Sequence, residues 1–225
     1  MGNLASNALY EIAQLLALLA ILLFGPAWTL QYWQAWAYLL VFAVSCSSIT
    51  FYLWKEDKNL LQRRIIAGPR AELQKSQKWI QLLASAVFLG TLVLPSLDHR
   101  FSWSSVPTLV VIAGDIFVAL GFLIVFLVFR ENTFTAAIIG VAPGQIVVSS
   151  GPYALIRHPM YSGALVLLFG TPLALSSWWG LLMFIPMLFT IGWRARDEER
   201  LLSKQLPGYT AYCVIVRYRL IPFVW

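Results

Sequence analysis

The 225-residue chain is 60% hydrophobic and only 12% charged, with a formal net charge of +6 and a mean hydropathy of +0.74. A soluble domain carries about 25% charged residues, so much of this surface must face lipid, and the basic excess reads as a belt beneath anionic headgroups rather than a nucleic-acid surface. Cys46 and Cys213 lack CxxC spacing, so neither a metal site nor a disulfide framework is indicated, and small apolar filler is the plain reading.

No polar or Gly/Ser-rich linker divides the sequence. One membrane domain over 1–225 is expected, with four spans in 1–129 and a C-terminal half over 130–225. Residues 1–7 lack Lys and Arg, and the apolar run after them is too long for a signal h-region. It reads as the first span. A crossing helix needs about 20 apolar residues, which 8–30, 31–54, 79–97 and 107–129 each supply. Gly25-Pro26 is expected to bend or end the first, and Pro95 to close the third. The stretch 158–193 is apolar but interrupted by Pro172 and by Ser176 to Gly180. It predicts a tight hairpin of two short or tilted helices, or a re-entrant pair. The fold class expected is all-α integral membrane, with about six crossings and a helical C-terminal tail.

Lys55, Lys58, Arg63, Arg64, Arg70, Lys75 and Lys78 fall between the second and third spans, and Arg130 and Arg157 in the 130–157 connection. Arg194, Arg196, Arg200, Lys204, Arg217 and Arg219 follow the hairpin, which leaves Arg100 alone in an outward loop. The positive-inside rule then puts both termini and these connections in the cytosol. Within 55–78, Leu60, Leu61, Ile65 and Ile66 recur at roughly helical spacing before Ala67-Gly68-Pro69. This is an interfacial amphipathic segment to which no chemistry is assigned.

Ion and solute pathways announce themselves by ionisable groups inside spans. Here Glu11 lies near a span end, and Asp115 is the one carboxylate expected at depth, either as a cation contact or as an outer-interface residue. The polar residues gather instead in two pieces on the cytosolic side. The first runs from Gln145, Ile146, Val147 and Val148 through Gly151-Pro152-Tyr153 to Arg157-His158-Pro159-Met160-Tyr161-Ser162-Gly163. It reads as an extended run, a turn, and a helix with Pro159 in its first turn. The second holds Arg194, Glu198 and Glu199, then Pro207-Gly208-Tyr209 and Tyr212. Arg194 and Glu198, four apart, share a helix face, with Glu199 about 100° away. Together the pieces could surround a pocket with a polar mouth and an apolar floor. Glu198 would suit a cationic ligand, and Tyr153 and Tyr161 an adenine or a sulfonium. Each piece also has a bland alternative: snorkelling residues at 157–158, an aromatic belt of tyrosines, a solvated charged helix face after 193.

The order of these motifs resembles the isoprenylcysteine carboxyl methyltransferase family and its phospholipid N-methyltransferase relatives. The resemblance covers about 130–225 and rests on Gly151-x-Tyr153, Arg157-His158-Pro159-x-Tyr161-x-Gly163, Glu198-Glu199-x-x-Leu202 and Gly208 through Tyr212. It implies an S-adenosylmethionine pocket lined by Gln145, Ile146, Val147, Val148, Tyr153, His158, Pro159, Met160, Tyr161 and Glu198. Arg194 would face the acceptor and the reacting methyl. Many relatives have a histidine where this chain has Gln145. The resemblance further implies a lipid-like or prenylated acceptor, most like isoprenylcysteine carboxyl O-methylation, with N- or S-methylation as alternatives. A sterol-type membrane reductase and a non-enzymatic scaffold or transporter are the competing classes. No metal is called for, and the oligomeric state is not legible.

Overall fold

The computed structural model describes residues 2–65, 75–135 and 139–225. Eight α-helices are seen among them: α1 Gly2–Ala27, α2 Trp33–Glu56, α3 Lys58–Ile65, α4 Lys75–Phe101, α5 Thr108–Glu131, α6 Pro159–Ala174, α7 Phe184–Gln205 and α8 Tyr209–Ile215. Short 3-10 turns occupy Gly151–Ala154 and Trp179–Met183, and no strand occurs among the described residues. The fold is all-α. Four helices, α1, α2, α4 and α5, are long and apolar enough to cross a membrane, and α6 is a shorter apolar helix.

The hairpin expected over 158–193 is present with unequal arms. At 16 residues, α6 is about 24 Å long, short of the roughly 30 Å hydrocarbon core. Its partner α7 runs unbroken from apolar Phe184 to Gln205, so one rigid rod carries both the apolar start and the charged 194–200 segment. The third span does not close at Pro95, since α4 continues to Phe101. A proline removes one ladder hydrogen bond, and packed neighbours in a membrane bundle tolerate that loss. Pro95 sits against Gly180, where an added Cβ would come 2.8 Å from its ring.

Glycines set the tightest helix pair. Gly114 and Gly121 on α5 meet Gly170 and Gly163 on α6, two heptad-spaced pairs that let the backbones touch. A Cβ on Gly114 would lie 2.2 Å from the Ala174 nitrogen, and one on Gly121 would lie 2.6 Å from the Gly163 carbonyl oxygen. Between α1, α2, α4, α5 and α6, the core packs Leu19, Leu23, Tyr38, Leu92, Val118 and Leu175. Trp28, Trp33, Trp36, Trp103, Trp178 and Trp179 are exposed near one end of the bundle, and Trp54 and Trp79 near the other, as aromatic belts require.

The end opposite the charged tail is tied by a carboxylate that the assigned span boundaries overlook. Asp98 is 1% exposed. It accepts hydrogen bonds from the Ser104 amide at 2.7 Å, from the Ser104 hydroxyl at 2.6 Å and from the Ser177 hydroxyl. Asp115 is therefore not the one buried carboxylate, because α4 extends past residue 97 and turns Asp98 inward. Asp115 Oδ1 is also buried, without a hydrogen-bond partner among the described residues. At the charged end, α3 buries Leu60 and Leu61 against Ala8, Leu53 and Phe129. Ile66, Ala67, Gly68, Pro69 and Arg70 lie outside the described residues.

Candidate functional site

The 157–163 segment is held by residues 217–220. The Arg157 and His158 amides donate to the carbonyls of Tyr218 and Arg219, each at 2.9 Å. The Arg157 guanidinium donates to the Arg217 carbonyl at 2.7 Å, and the Ser162 hydroxyl donates to the Leu220 carbonyl. His158 then caps the start of α6 with Pro159 in its first turn, where a proline forfeits no intrahelical bond. Gly151, at φ +55°, turns the preceding loop close against the Glu131 side chain. Few residues other than glycine adopt that conformation.

From α7 two adjacent carboxylates reach opposite sides of His158. Glu198 accepts from the Tyr161 hydroxyl at 2.7 Å and lies 3.7 Å from His158 Nδ1. Glu199 lies 3.3 Å from His158 Nε2, 2.9 Å from Arg157 Nη1 and 2.8 Å from Arg219 Nε. The two residues thus point away from each other, as their spacing on a helix requires. The His158 ring stacks on Tyr161, with centroids 5.5 Å apart. Burial pushes the Glu199 carboxyl up, but the hydrogen bonds from His158 and Arg219 and the charges of His158 and Arg157 outweigh it, and its pKa falls below the usual value.

Arg194 is buried, yet well partnered. Its Nε donates to the Tyr161 hydroxyl at 3.1 Å, and its Nη1 to the amide oxygens of Gln81 at 2.9 Å and Gln77 at 3.2 Å. The Gln77 amide in turn donates to Asp197, as does the Ser76 hydroxyl at 2.8 Å. The first turns of α4 are thereby stapled to α7.

These groups border a cavity of about 440 Å³, within the size range of small-molecule sites. Gln145, Ile146, Val147, Val148, Tyr153, His158, Pro159, Met160, Tyr161, Arg194 and Glu198 all line it. The sequence pattern thus gathers into one wall, although 145 and 198 lie more than fifty residues apart. Gln145 spends its side-chain oxygen on the Ala142 amide at 2.9 Å, closing its own turn. Tyr153 receives a hydrogen bond from Asn132 at 3.1 Å, and burial, aided by the Glu198 charge, pushes its hydroxyl up to about 12.

Other lining residues were not assigned from sequence: Arg64 from α3, Gln81 from α4, and Asn132, Phe134 and Thr135 after α5. The segment read as carrying no chemistry, 55–78, therefore contributes a cavity residue. Tyr209 and Tyr212 close the side nearest the C-terminal tail. The Tyr212 hydroxyl donates to the Tyr153 carbonyl at 2.7 Å, whereas the Tyr209 hydroxyl is buried without a partner among the described residues. A buried hydroxyl without a protein partner in a cavity wall is open to a polar ligand or to water. Among the described residues no group of three or more His, Cys, Asp or Glu could hold a metal ion.

S-adenosylmethionine combines an aromatic base, a sulfonium and an amino-acid end. The wall offers tyrosine faces, the carboxylate of Glu198, the orphan Tyr209 hydroxyl and apolar Val147 and Leu206. The donor set fits such a ligand.

Comparison with known proteins matches residues 109–207 to the phospholipid methyltransferase family model. The chain is also 33% identical over 109 residues to the Delta(14)-sterol reductase of Mus musculus, covering 43% of this chain. It spans about a quarter of the length of that curated relative (25%). The stretch that matches the phospholipid methyltransferase family model runs from the first turn of α5 to the loop after α7.

Proposed function

We propose that the protein transfers a methyl group from S-adenosylmethionine to a membrane-dissolved acceptor, in a reaction most like isoprenylcysteine carboxyl O-methylation. The single observation that carries this reading is the chain Glu198–Tyr161–Arg194 in the cavity wall, which puts a carboxylate and a guanidinium on either side of one hydroxyl. The chemistry supplied by S-adenosylmethionine when bound is an already activated methyl group, so the protein's task is alignment and exclusion of water. Glu198 and the tyrosines hold the cationic end, and Arg194 orients the acceptor. Buried Leu202 and Leu206, with Val125 and Ala164, make the floor apolar. A carboxylate acceptor carries no proton to remove, so Arg194 can position it without a general base. The positive-inside rule applied to the basic connections supports a cytosolic cavity and cytosolic termini, with α6 and the apolar start of α7 as a short hairpin in the bilayer.

Calorimetry of S-adenosylmethionine binding to the detergent-purified protein tests the reading. Saturable binding that Glu198→Ala lowers by at least tenfold is expected. A folded wild-type protein that binds none overturns the proposal.

A second reading follows from the sterol reductase similarity: a membrane reductase using a nicotinamide cofactor. Binding of NADPH rather than S-adenosylmethionine in the same calorimeter cell would favour it.

A further inference from the structure

A second, larger cavity of about 760 Å³ lies on the other side of α6. Met160, Tyr161 and Ala164 of that helix line the first cavity, whereas Ser162, Leu165, Val166 and Phe169 line the second. At about 100° per residue the two sets fall on different faces, and among the described lining residues Pro159 alone is common to both. Ser162 brings the one polar side chain among the described residues of the second wall, and its hydroxyl already donates to the Leu220 carbonyl. Such a groove offers water few partners and stays dry, while an empty one forfeits contacts for the atoms that line it.

Three helices set its depth. On α5 the lining residues run from Leu127 to Phe117, and on α6 from Pro159 to Phe169. Each run advances ten positions along its helix, which is about 15 Å, half of the roughly 30 Å hydrocarbon core. The far end is closed by aromatic rings: Phe169 meets Phe117 edge-on at 5.7 Å and Phe184 of α7 at 5.4 Å. The near end lies between Gly151-Pro152 and Ile221-Pro222. Arg130 stands one turn beyond Leu127 and is exposed, at the level where a lipid headgroup sits above its chain. A crossing helix of a second copy would run on past the aromatic floor. A chain anchored in one leaflet stops there.

We propose that this groove binds one acyl chain of a phospholipid from the leaflet at the charged end of the bundle, as a site separate from the first cavity. The chain lies against the Ser162–Leu220 contact, beside the pairing of Arg157 and His158 with Tyr218 and Arg219. It therefore backs the segment that carries the first cavity's wall. The site stands whether or not the methyltransferase reading holds.

The test places the protein in dioleoyl phosphatidylcholine vesicles that carry a small fraction of photoreactive phosphatidylcholine. Its diazirine sits on one acyl chain, near the ester or near the terminal methyl, and mass spectrometry locates the adducts after illumination. Groove residues should be labelled at least about fivefold more often than Val44 and Phe51, exposed on α2, since packing supplies the preference inside a bilayer. The ester-side probe should mark 151–156 and 220–222, and the methyl-side probe Phe117, Phe169 and Phe184. Val166→Trp, or Leu188→Trp on the facing helix, should lower groove labelling to the level of Val44 and Phe51 in a protein that still melts cooperatively. Even labelling of groove and α2, or a reversed depth order in wild type, overturns the proposal without any variant. So does groove labelling that persists in a folded tryptophan variant. An unlabelled groove, the result if a second copy covers it, overturns it too, as does stronger labelling by a photoreactive free fatty acid at equal concentration.

Discussion

Tyr161 and Glu198 are joined by a 2.7 Å hydrogen bond across 37 residues of sequence, and that bond fixes how α6 meets α7 at the cavity. The same hydroxyl receives Arg194 Nε, so one oxygen sets the position of a carboxylate and a guanidinium together. Tyr161→Phe keeps the ring stacked on His158 and removes only this shared contact. Affinity for S-adenosylmethionine should fall by roughly tenfold or more, the worth of a hydrogen bond to a charged group. The melting temperature should move much less. Calorimetry beside a thermal melt separates the two, and a large loss of stability with unchanged affinity would contradict the assignment.

Glu199 is the hub for Arg157, Arg219 and His158, and its pKa is held below the ordinary glutamate value. A depressed carboxylate stabilises the native state fully above its unfolded pKa, about 4.3. That contribution is lost as pH falls through the lower native value. Wild-type protein should therefore hold its melting temperature from neutral pH down to about 4.3 and lose stability below it. Glu199→Gln should be less stable at pH 7 by about 3–5 kcal/mol, the cost of leaving buried cations without their partner. It should also show a flatter acid limb. Melts in detergent from neutral to acidic pH would decide this, and an unchanged acid limb would count against Glu199 as the source.

The contact of α5 with α6 leaves no room for a methyl group at Gly114. Gly114→Ala must push back the α6 backbone at Leu173 and Ala174, where the Ala174 nitrogen lies 2.2 Å from the added carbon. Destabilisation of about 1–3 kcal/mol or more is expected. Gly25→Ala is the matched control, because nothing lies within 4 Å of its added carbon. A thermal melt of both variants checks the contrast, and equal melting temperatures would mean that the helices separate without cost.

Much of the cavity was legible because its residues come in local runs. Gln145 to Val148 and the 157–163 turn are continuous in sequence and the Arg194–Glu198 pair is one helical turn apart, so turn chemistry and helical spacing bring each together. Gln77, Gln81 and Arg64 were not legible. They reach Arg194 and Met160 only through the packing of α3 and α4 on α6 and α7, across roughly a hundred residues and more. Nothing in a short window distinguishes an interfacial arginine from one turned into a cavity. The helices themselves followed from hydropathy, but their ends did not. The residues around Pro95 pack closely enough for α4 to pass through it, and this turned Asp98 into the Ser104–Ser177 clasp.

The backbone pairing of Arg157 and His158 with Tyr218 and Arg219 also sets a timetable. Translation proceeds at about 5–20 residues per second, so roughly 60 residues separate the two halves of that pairing by some 3–12 s. The spans before it can enter the bilayer while His158 still lacks its backbone support and Glu199 still lacks Arg219. The 157–158 backbone gains its partners only when Tyr218 and Arg219 arrive, after α1 to α8 have all been made.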